Sequence, residues 1–239
     1  MIRSPAYRPT LRGVALCLAL IAAGFAGALA LNTQGTLSAF LYAGQRPLQV
    51  ESTPASLLWL GTLAGIPAFP DYSYVSLNYT GLLDGLLRPL SALALAAGCA
   101  LVYWRQARGR LSIGRAVVAC LAIVLVTNKI FSPQYLIWLL PVVAYVEGFD
   151  LLWVAICFLT WLDFPIIYQQ RHPIITVPYN PAFMPEVALR NALLLWAAVR
   201  AIIAPERAGG GGVPPREFVA AGEPSVRSER ASESPALSG

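Results

Sequence analysis

Apolar residues occur along the chain in long stretches separated by short polar connectors. The stretches are Gly13–Leu31, Thr53–Phe69, Pro89–Trp104, Ala116–Thr127, Pro133–Val146, Leu151–Leu162 and Val187–Ala204. Most are apolar all round, the pattern of helices surrounded by lipid or by other helices. Several fall short of the ~20 residues a span needs. Flanking polar residues lengthen each short one, and these must then face the protein interior or a water cavity. Thr53–Phe69 contains Gly61, Gly65 and Pro67, with Pro70 just beyond, and reads as a re-entrant or interfacial helix rather than a straight span. The expected fold is an all-α polytopic membrane helix bundle of about six to seven transmembrane helices plus that broken helix, over residues 1–204. From Pro205 the pattern stops. Ala208-Gly209-Gly210-Gly211-Gly212 leads into a Pro-, Ser-, Glu- and Arg-rich segment that cannot bury enough apolar surface to fold, so 205–239 reads as a disordered cytoplasmic tail.

Composition removes the soluble alternative. Of 239 residues, 57% are hydrophobic and 12% charged, against about a quarter charged in soluble domains. The net charge of +5 does not point to nucleic acid, because the cations sit singly at segment ends. They read instead as topology signals. Arg3, Arg8 and Arg12 precede the first stretch; Arg105, Arg108, Arg110 and Arg115 crowd one connector; Arg200 and Arg207 close the last. With all three clusters in the cytoplasm, six spans and both termini inside follow, in a multi-pass plasma-membrane protein. The first stretch can be a cleaved signal peptide, with Ala28-Leu29-Ala30 as the cleavage site, or a retained anchor; its 19 uncharged residues favour the anchor. Cys17, Cys99, Cys120 and Cys157 lie singly in apolar runs, and with His172 as the one histidine they make no zinc pattern. They read as small buried hydrophobes. The sequence carries no metal signature and points to no cofactor, and it leaves the need for a divalent cation open.

That orientation puts three polar constellations on the outer face. In Arg46-Pro47-Leu48-Gln49-Val50-Glu51-Ser52-Thr53-Pro54, Ser52 or Thr53 can cap a helix whose first residue is Pro54. In Asn128-Lys129-Ile130-Phe131-Ser132-Pro133-Gln134-Tyr135, Ser132-Pro133 repeats the arrangement and opens a helix over Gln134–Val146. The third is the loop Asp163–Glu186 with Arg171, His172, Tyr179 and Asn180. Two outward helix N-termini, with Arg46 beside one and Lys129 beside the other, form anion sites for which phosphate is the common occupant. Lys129, the only lysine, calls for a counter-charge at membrane depth; Glu51 or a phosphate can supply it. Asp84 and Arg88 read as an i,i+4 ion pair at a span entry.

Two of these segments carry a resemblance. Thr127-Asn128-Lys129-Ile130-Phe131-Ser132-Pro133-Gln134-Tyr135-Leu136-Ile137-Trp138-Leu139-Leu140-Pro141 resembles a segment of membrane mannosyltransferases of the GT-C class. These include bacterial polyprenol-phosphate-mannose-dependent enzymes and, more distantly, the first mannosyltransferase of glycosylphosphatidylinositol synthesis. Arg46-Pro47-Leu48-Gln49-Val50-Glu51-Ser52 is similar to a segment of the bacterial members. The resemblance covers Arg46 to about Pro141. It implies transfer of a hexose, mannose foremost, from a polyprenol-phosphate carrier to an extracytoplasmic acceptor. On that reading Glu51 is the catalytic residue, and Arg46, Gln49, Ser52, Asn128, Lys129, Ser132, Gln134 and Tyr135 bind substrate. Enzymes of this class are longer and carry a catalytic acid in an early outer loop, so the chain looks like the C-terminal portion of one. A transporter or flippase for a lipid-linked sugar, or a non-catalytic membrane subunit, is the competing expectation.

Overall fold

A computed structural model describes residues 7–170 and 174–203, with the backbone alone described at 7–11 and 174. The expected tail, and Arg171 and His172 of the third constellation, lie outside them. Eight α-helices dominate the described residues: α1 (Tyr7–Leu31), α2 (Thr33–Gln45), α3 (Thr53–Leu63), α4 (Asp84–Ala107), α5 (Ile113–Thr127), α6 (Leu136–Glu147), α7 (Leu151–Trp161) and α8 (Phe183–Ile203). Two helical segments are long and apolar enough to cross a membrane, Arg12–Leu31 in α1 and Asp84–Ala107, the whole of α4. α8 has the length, at 21 residues, but carries Glu186, Arg190 and Arg200.

Asn32 separates α1 from α2, and its Oδ1 accepts from the Gly35 N–H at 2.7 Å. That side-chain cap starts a new helix directly after the old one ends, and Phe25 and Phe40 meet edge-to-face across the junction at 5.4 Å. α2 therefore occupies sequence expected to be loop. Cys17 on α1 is exposed and the other three cysteines are half-buried, whereas all four were expected to be buried.

The stretch Thr53–Phe69 is a helix only as far as Leu63. Ser52 caps α3 through the Ala55 N–H at 3.3 Å, with Pro54 in the first turn. At the far end Gly65 sits at φ 81°. The Ile66 N–H reaches the Gly61 carbonyl and the Gly65 N–H the Thr62 carbonyl, each at 3.0 Å, the paired bonds of a left-handed helix stop. The chain then turns into a small sheet that the helical reading did not include. β1 (Leu48–Gln49), β2 (Ala68–Ser73) and β3 (Ser76–Gly81) pair antiparallel in the order β1-β3-β2, with Leu48 opposite Tyr79 and Ser73 opposite Ser76.

α8 packs against α3, α5 and α7, and α5 also against α4 and α6. One apolar core runs through this bundle, with Val102, Ala119, Leu139, Ile156 and Leu194 sealed from solvent. A second joins the sheet to α3 and the start of α8 through Leu48, Val50, Leu58, Phe183 and Val187.

The two ends of the bundle differ. At one, the Arg115 Nη2 donates to the carbonyls of Arg200 and Ala201, both at 3.1 Å, and Arg200 pairs with Glu147 at 3.2 Å and Asp150 at 2.7 Å. Arginines there neutralise the carbonyl end of α8. Thus Arg115, in the first turn of α5, lies against the last residues of α8. At the other end, Asp84 and Arg88 form the expected ion pair at the entry to α4.

The β2–β3 hairpin turns at Tyr74 and Val75, both at positive φ (55° and 54°). A β-branched residue is a poor occupant of this region, which costs an L-residue about 1–2 kcal/mol. Val75 is 88% exposed, so its side chain recovers little by packing. Val75→Gly is expected to stabilise the protein by about 0.5–1 kcal/mol, the relief of strain exceeding the entropy that glycine adds to the unfolded chain. A rise in the thermal unfolding midpoint in detergent checks this.

Candidate functional site

Sheet pairing brings the Arg46–Ser52 segment beside the Asn128–Tyr135 segment: the Gln49 N–H donates to the Lys129 carbonyl at 3.0 Å, and the Val50 N–H to the Leu77 carbonyl at 3.1 Å. An open cleft of about 280 Å³ lies at this junction. Its walls include Arg46, Gln49 and Glu51 from the first segment and Ser132 and Gln134 from the second. Five residues singled out from sequence therefore share one cavity. Tyr72 and Val75 of the hairpin and Phe164 and Tyr168 complete its apolar and aromatic side.

The other four predicted site residues stand behind the cleft. The Ser52 hydroxyl is used as the cap of α3. Asn128 ends α5, its Oδ1 accepting from the Ile130 N–H at 3.1 Å. Tyr135 stacks on Trp138, ring centres 4.8 Å apart. Lys129 donates from Nζ to the carbonyls of Gly44 at 2.9 Å and Arg46 at 3.0 Å, closing the C-terminal end of α2. Its counter-charge is thus a set of carbonyl dipoles, and Glu51 is paired elsewhere. Burial, with Arg88 next in effect, holds the Lys129 ammonium below its usual range.

The second helix start also differs from expectation. Pro133–Tyr135 forms one 3₁₀ turn before α6 begins at Leu136, and the Ser132 side chain makes no capping bond. A single 3₁₀ turn aligns fewer N–H groups than an α-helical one, and the Ser132 hydroxyl on the cleft wall is not engaged as a cap.

Glu51 is the most constrained group here. It is 3% exposed, and Oε1 accepts from the Tyr168 hydroxyl at 2.5 Å. Its backbone carbonyl accepts from Arg190 Nη2 at 2.7 Å and Asn191 Nδ2 at 3.0 Å. Arg190 Nη1 lies 3.7 Å from Oε2 and 3.0 Å from Asp163 Oδ2. The guanidinium, fully sealed from solvent, also lies 4.4 Å from the centre of the Phe131 ring. Three carboxylates, those of Glu51, Asp163 and Glu186, act on this one buried cation. Oε2 of Glu51 and both oxygens of Glu186 are buried without a hydrogen bond to the protein.

Asp163, Tyr168, Glu186, Arg190 and Asn191 are the members that the sequence reading missed. Asp163 and Glu186 were placed as the ends of an outer loop. In fact α7 continues into a wide turn over Leu162–Ile167, broken at Phe164, which is extended (φ −124°, ψ 117°) as a residue before proline prefers. Asp163 is buried at this break. One signal was available: Arg190 lies inside the apolar stretch Val187–Ala204, where a cation needs a buried partner.

No group of His, Cys, Asp and Glu suited to a metal ion occurs among the described residues.

Burial pushes the Glu51 carboxyl above its ordinary 4.5, against the opposing pull of Arg190 and the Tyr168 hydrogen bond. Below 4.5 the proton is bound in folded and unfolded chains alike. As the pH climbs past it, the unfolded chain ionises freely while the folded chain resists, so Glu51 makes folding less favourable. Glu51→Gln is therefore expected to raise the unfolding midpoint relative to wild type. The gain should be small at pH 5 and grow toward pH 8, as read by thermal unfolding across that range.

Comparison with family models, with curated proteins and with solved structures returns no match for this chain.

Proposed function

We propose that the protein is a membrane glycosyltransferase that moves a hexose, mannose foremost, from a polyprenol-phosphate carrier to an extracytoplasmic acceptor. The observation that carries this reading is the meeting of Arg46, Gln49, Glu51, Ser132 and Gln134 in one cleft. These residues belong to the two segments whose resemblance to GT-C mannosyltransferases is independent of their proximity.

The cleft supplies what such a transfer needs. The acceptor hydroxyl oxygen attacks the anomeric carbon as the bond from that carbon to the phosphate oxygen breaks. The hydroxyl proton passes to Glu51, and the carrier leaves as a phosphate monoester. Arg46, whose buried Nε has no partner in the protein, meets the charge developing on the leaving phosphate. Gln49, Ser132 and Gln134 offer hydrogen bonds to sugar hydroxyls. Lys129 holds the Arg46–Gln49 segment in place through the Arg46 carbonyl and the Gln49 N–H.

In the membrane, α1 and α4 cross the bilayer, with α5 packed against α4, α6 and α8 against α5, and α7 against α8, as a polytopic bundle. The Arg115–Arg200 end faces the cytoplasm by the positive-inside rule. The cleft, beside the opposite ends of these helices, faces out.

The test is sugar transfer by purified protein in proteoliposomes supplied with polyprenol-phosphate mannose and a soluble acceptor. Glu51→Gln is expected to lower kcat by about 10²–10⁴, the usual contribution of a general base. Arg46→Gln is expected to lower kcat/KM for the donor by about 10- to 100-fold, as loss of a charged hydrogen bond to the leaving phosphate does. Unchanged rates in both variants sink these roles. Lipid-linked sugar crossing the vesicle membrane with no glycosidic bond formed replaces transfer with transport.

A further inference from the structure

Glu51 is reached from behind by groups that lie more than a hundred residues away in sequence. Tyr168 and Asp163 come from the extension of α7, and Arg190, Asn191 and Glu186 from the first turns of α8. Arg46 shares the cleft with it. Of these, Arg190 makes both kinds of contact, binding the backbone carbonyl of Glu51 at 2.7 Å and facing its Oε2 at 3.7 Å. The same Nη1 gives its shorter contact, 3.0 Å, to Asp163. One cation is thus divided between two carboxylates, and Asp163 holds the larger share.

We infer that Arg190 and Asp163 are a positioning pair for Glu51, Arg190 fixing its place and favouring its carboxylate form while Asp163 limits how strongly it does so. The inference rests on the reading of Glu51 as the proton acceptor for the sugar's new partner. A carboxylate gripped by an undivided guanidinium is a weak base; one buried with no cation holds its proton and accepts no other. A cation shared with a second acid leaves the base between these limits. Asp163 therefore acts through Arg190, with no contact to substrate.

The two residues have opposite effects, and that separates positioning from mere support. Removing the Arg190 charge makes Glu51 hold its proton more tightly. Burial pushes the Asp163 carboxyl up to about 8. Asp163→Asn therefore weakens the rival claim on the guanidinium throughout and deletes a like charge at the upper end of the range, and Glu51 holds its proton less tightly. Loosening the fold hydrates Glu51 in either variant and moves both the same way.

Dicyclohexylcarbodiimide enters apolar sites and forms an N-acylurea only with protonated carboxyls. The adduct on the Glu51 peptide can be followed by mass spectrometry from pH 5 to 9 in the full-length membrane protein. Relative to wild type, the pH of half-labelling should rise in Arg190→Gln and fall in Asp163→Asn, changing labelling at a fixed intermediate pH by about tenfold for each pH unit. Arg190→Lys, which keeps the charge, should stay close to wild type. Shifts of the same sign in Arg190→Gln and Asp163→Asn, or none in either, overturn the inference. Where Arg190→Gln does not fold, an unmoved Asp163→Asn does so alone. Labelling needs no sugar transfer. Opposite shifts in a protein that transfers nothing support the positioning pair and overturn only the transferase reading.

Discussion

The structure around the cleft depends on one buried guanidinium. Removing an arginine from water costs several kcal/mol unless its fork of donors is met by good partners. Arg190 meets this demand with the Glu51 carbonyl, the Asp163 carboxylate, Asn191 Oδ1 and the face of Phe131. Each partner belongs to a different requirement of the fold. The Glu51 carbonyl fixes the approach to α3, Asp163 fixes the break after α7, and Phe131 fixes the connector between α5 and α6. Three segments that no local rule brings together are held in common because a single cation inside α8 must be satisfied.

That arrangement explains why the site sits where it does. Asn191 extends the grip by donating to the Glu51 carbonyl at 3.0 Å and to the Ser56 hydroxyl at 2.9 Å, so the first turns of α3 are pinned to α8 by side chains. The short strand β1 leads directly into Glu51, and its pairing with β3 sets the depth at which the carboxylate stands. At the opposite end of the bundle arginine is used differently. Arg115 and Arg200, partly exposed, draw on backbone carbonyls and the acids of the α6–α7 connection. Partial exposure makes those pairs cheap and weak. The same residue type thus serves as a surface fastening at one end and as the organising centre at the other.

The sequence made the helices legible because membrane-type hydrophobicity is a composition signal, readable in each stretch without knowledge of its neighbours. It also revealed the two polar segments, since Ser-Pro starts and isolated ionisable residues stand out against an apolar background. Their convergence was not readable. It follows from the β1–β3 pairing, and Leu48–Gln49 is too short for an alternating pattern to betray a strand. Lys129 shows the limit of reading charge by proximity in sequence. Its ammonium was expected to meet Glu51 or a phosphate, yet it binds the Gly44 and Arg46 carbonyls and leaves the Arg46 guanidinium to face the cleft. Asp163 and Glu186 were hidden for a further reason: loop boundaries drawn from hydropathy place every acid at a boundary in water, and only packing against Arg190 reverses that.

The cleft gathers features that a bundle selected for stability alone would avoid. Val75 stands on its wall in a backbone region that suits glycine. Phe164, beside it, marks the point where a helix is broken rather than continued. Glu51, at the end of the first segment, is a carboxyl buried beside two further acids that share its one guanidinium. These are different kinds of feature, a strained backbone dihedral, a helix break before proline and a desolvated acid, so no shared packing defect produces them together. Strain and unmet charge persist only where the surroundings over-determine them, and they cluster at sites that act on something else. Support for a functional role at this cleft therefore does not depend on the resemblance of its two segments to any family. It stands on the coincidence, within one cavity, of a strained turn, a broken helix and a buried acid.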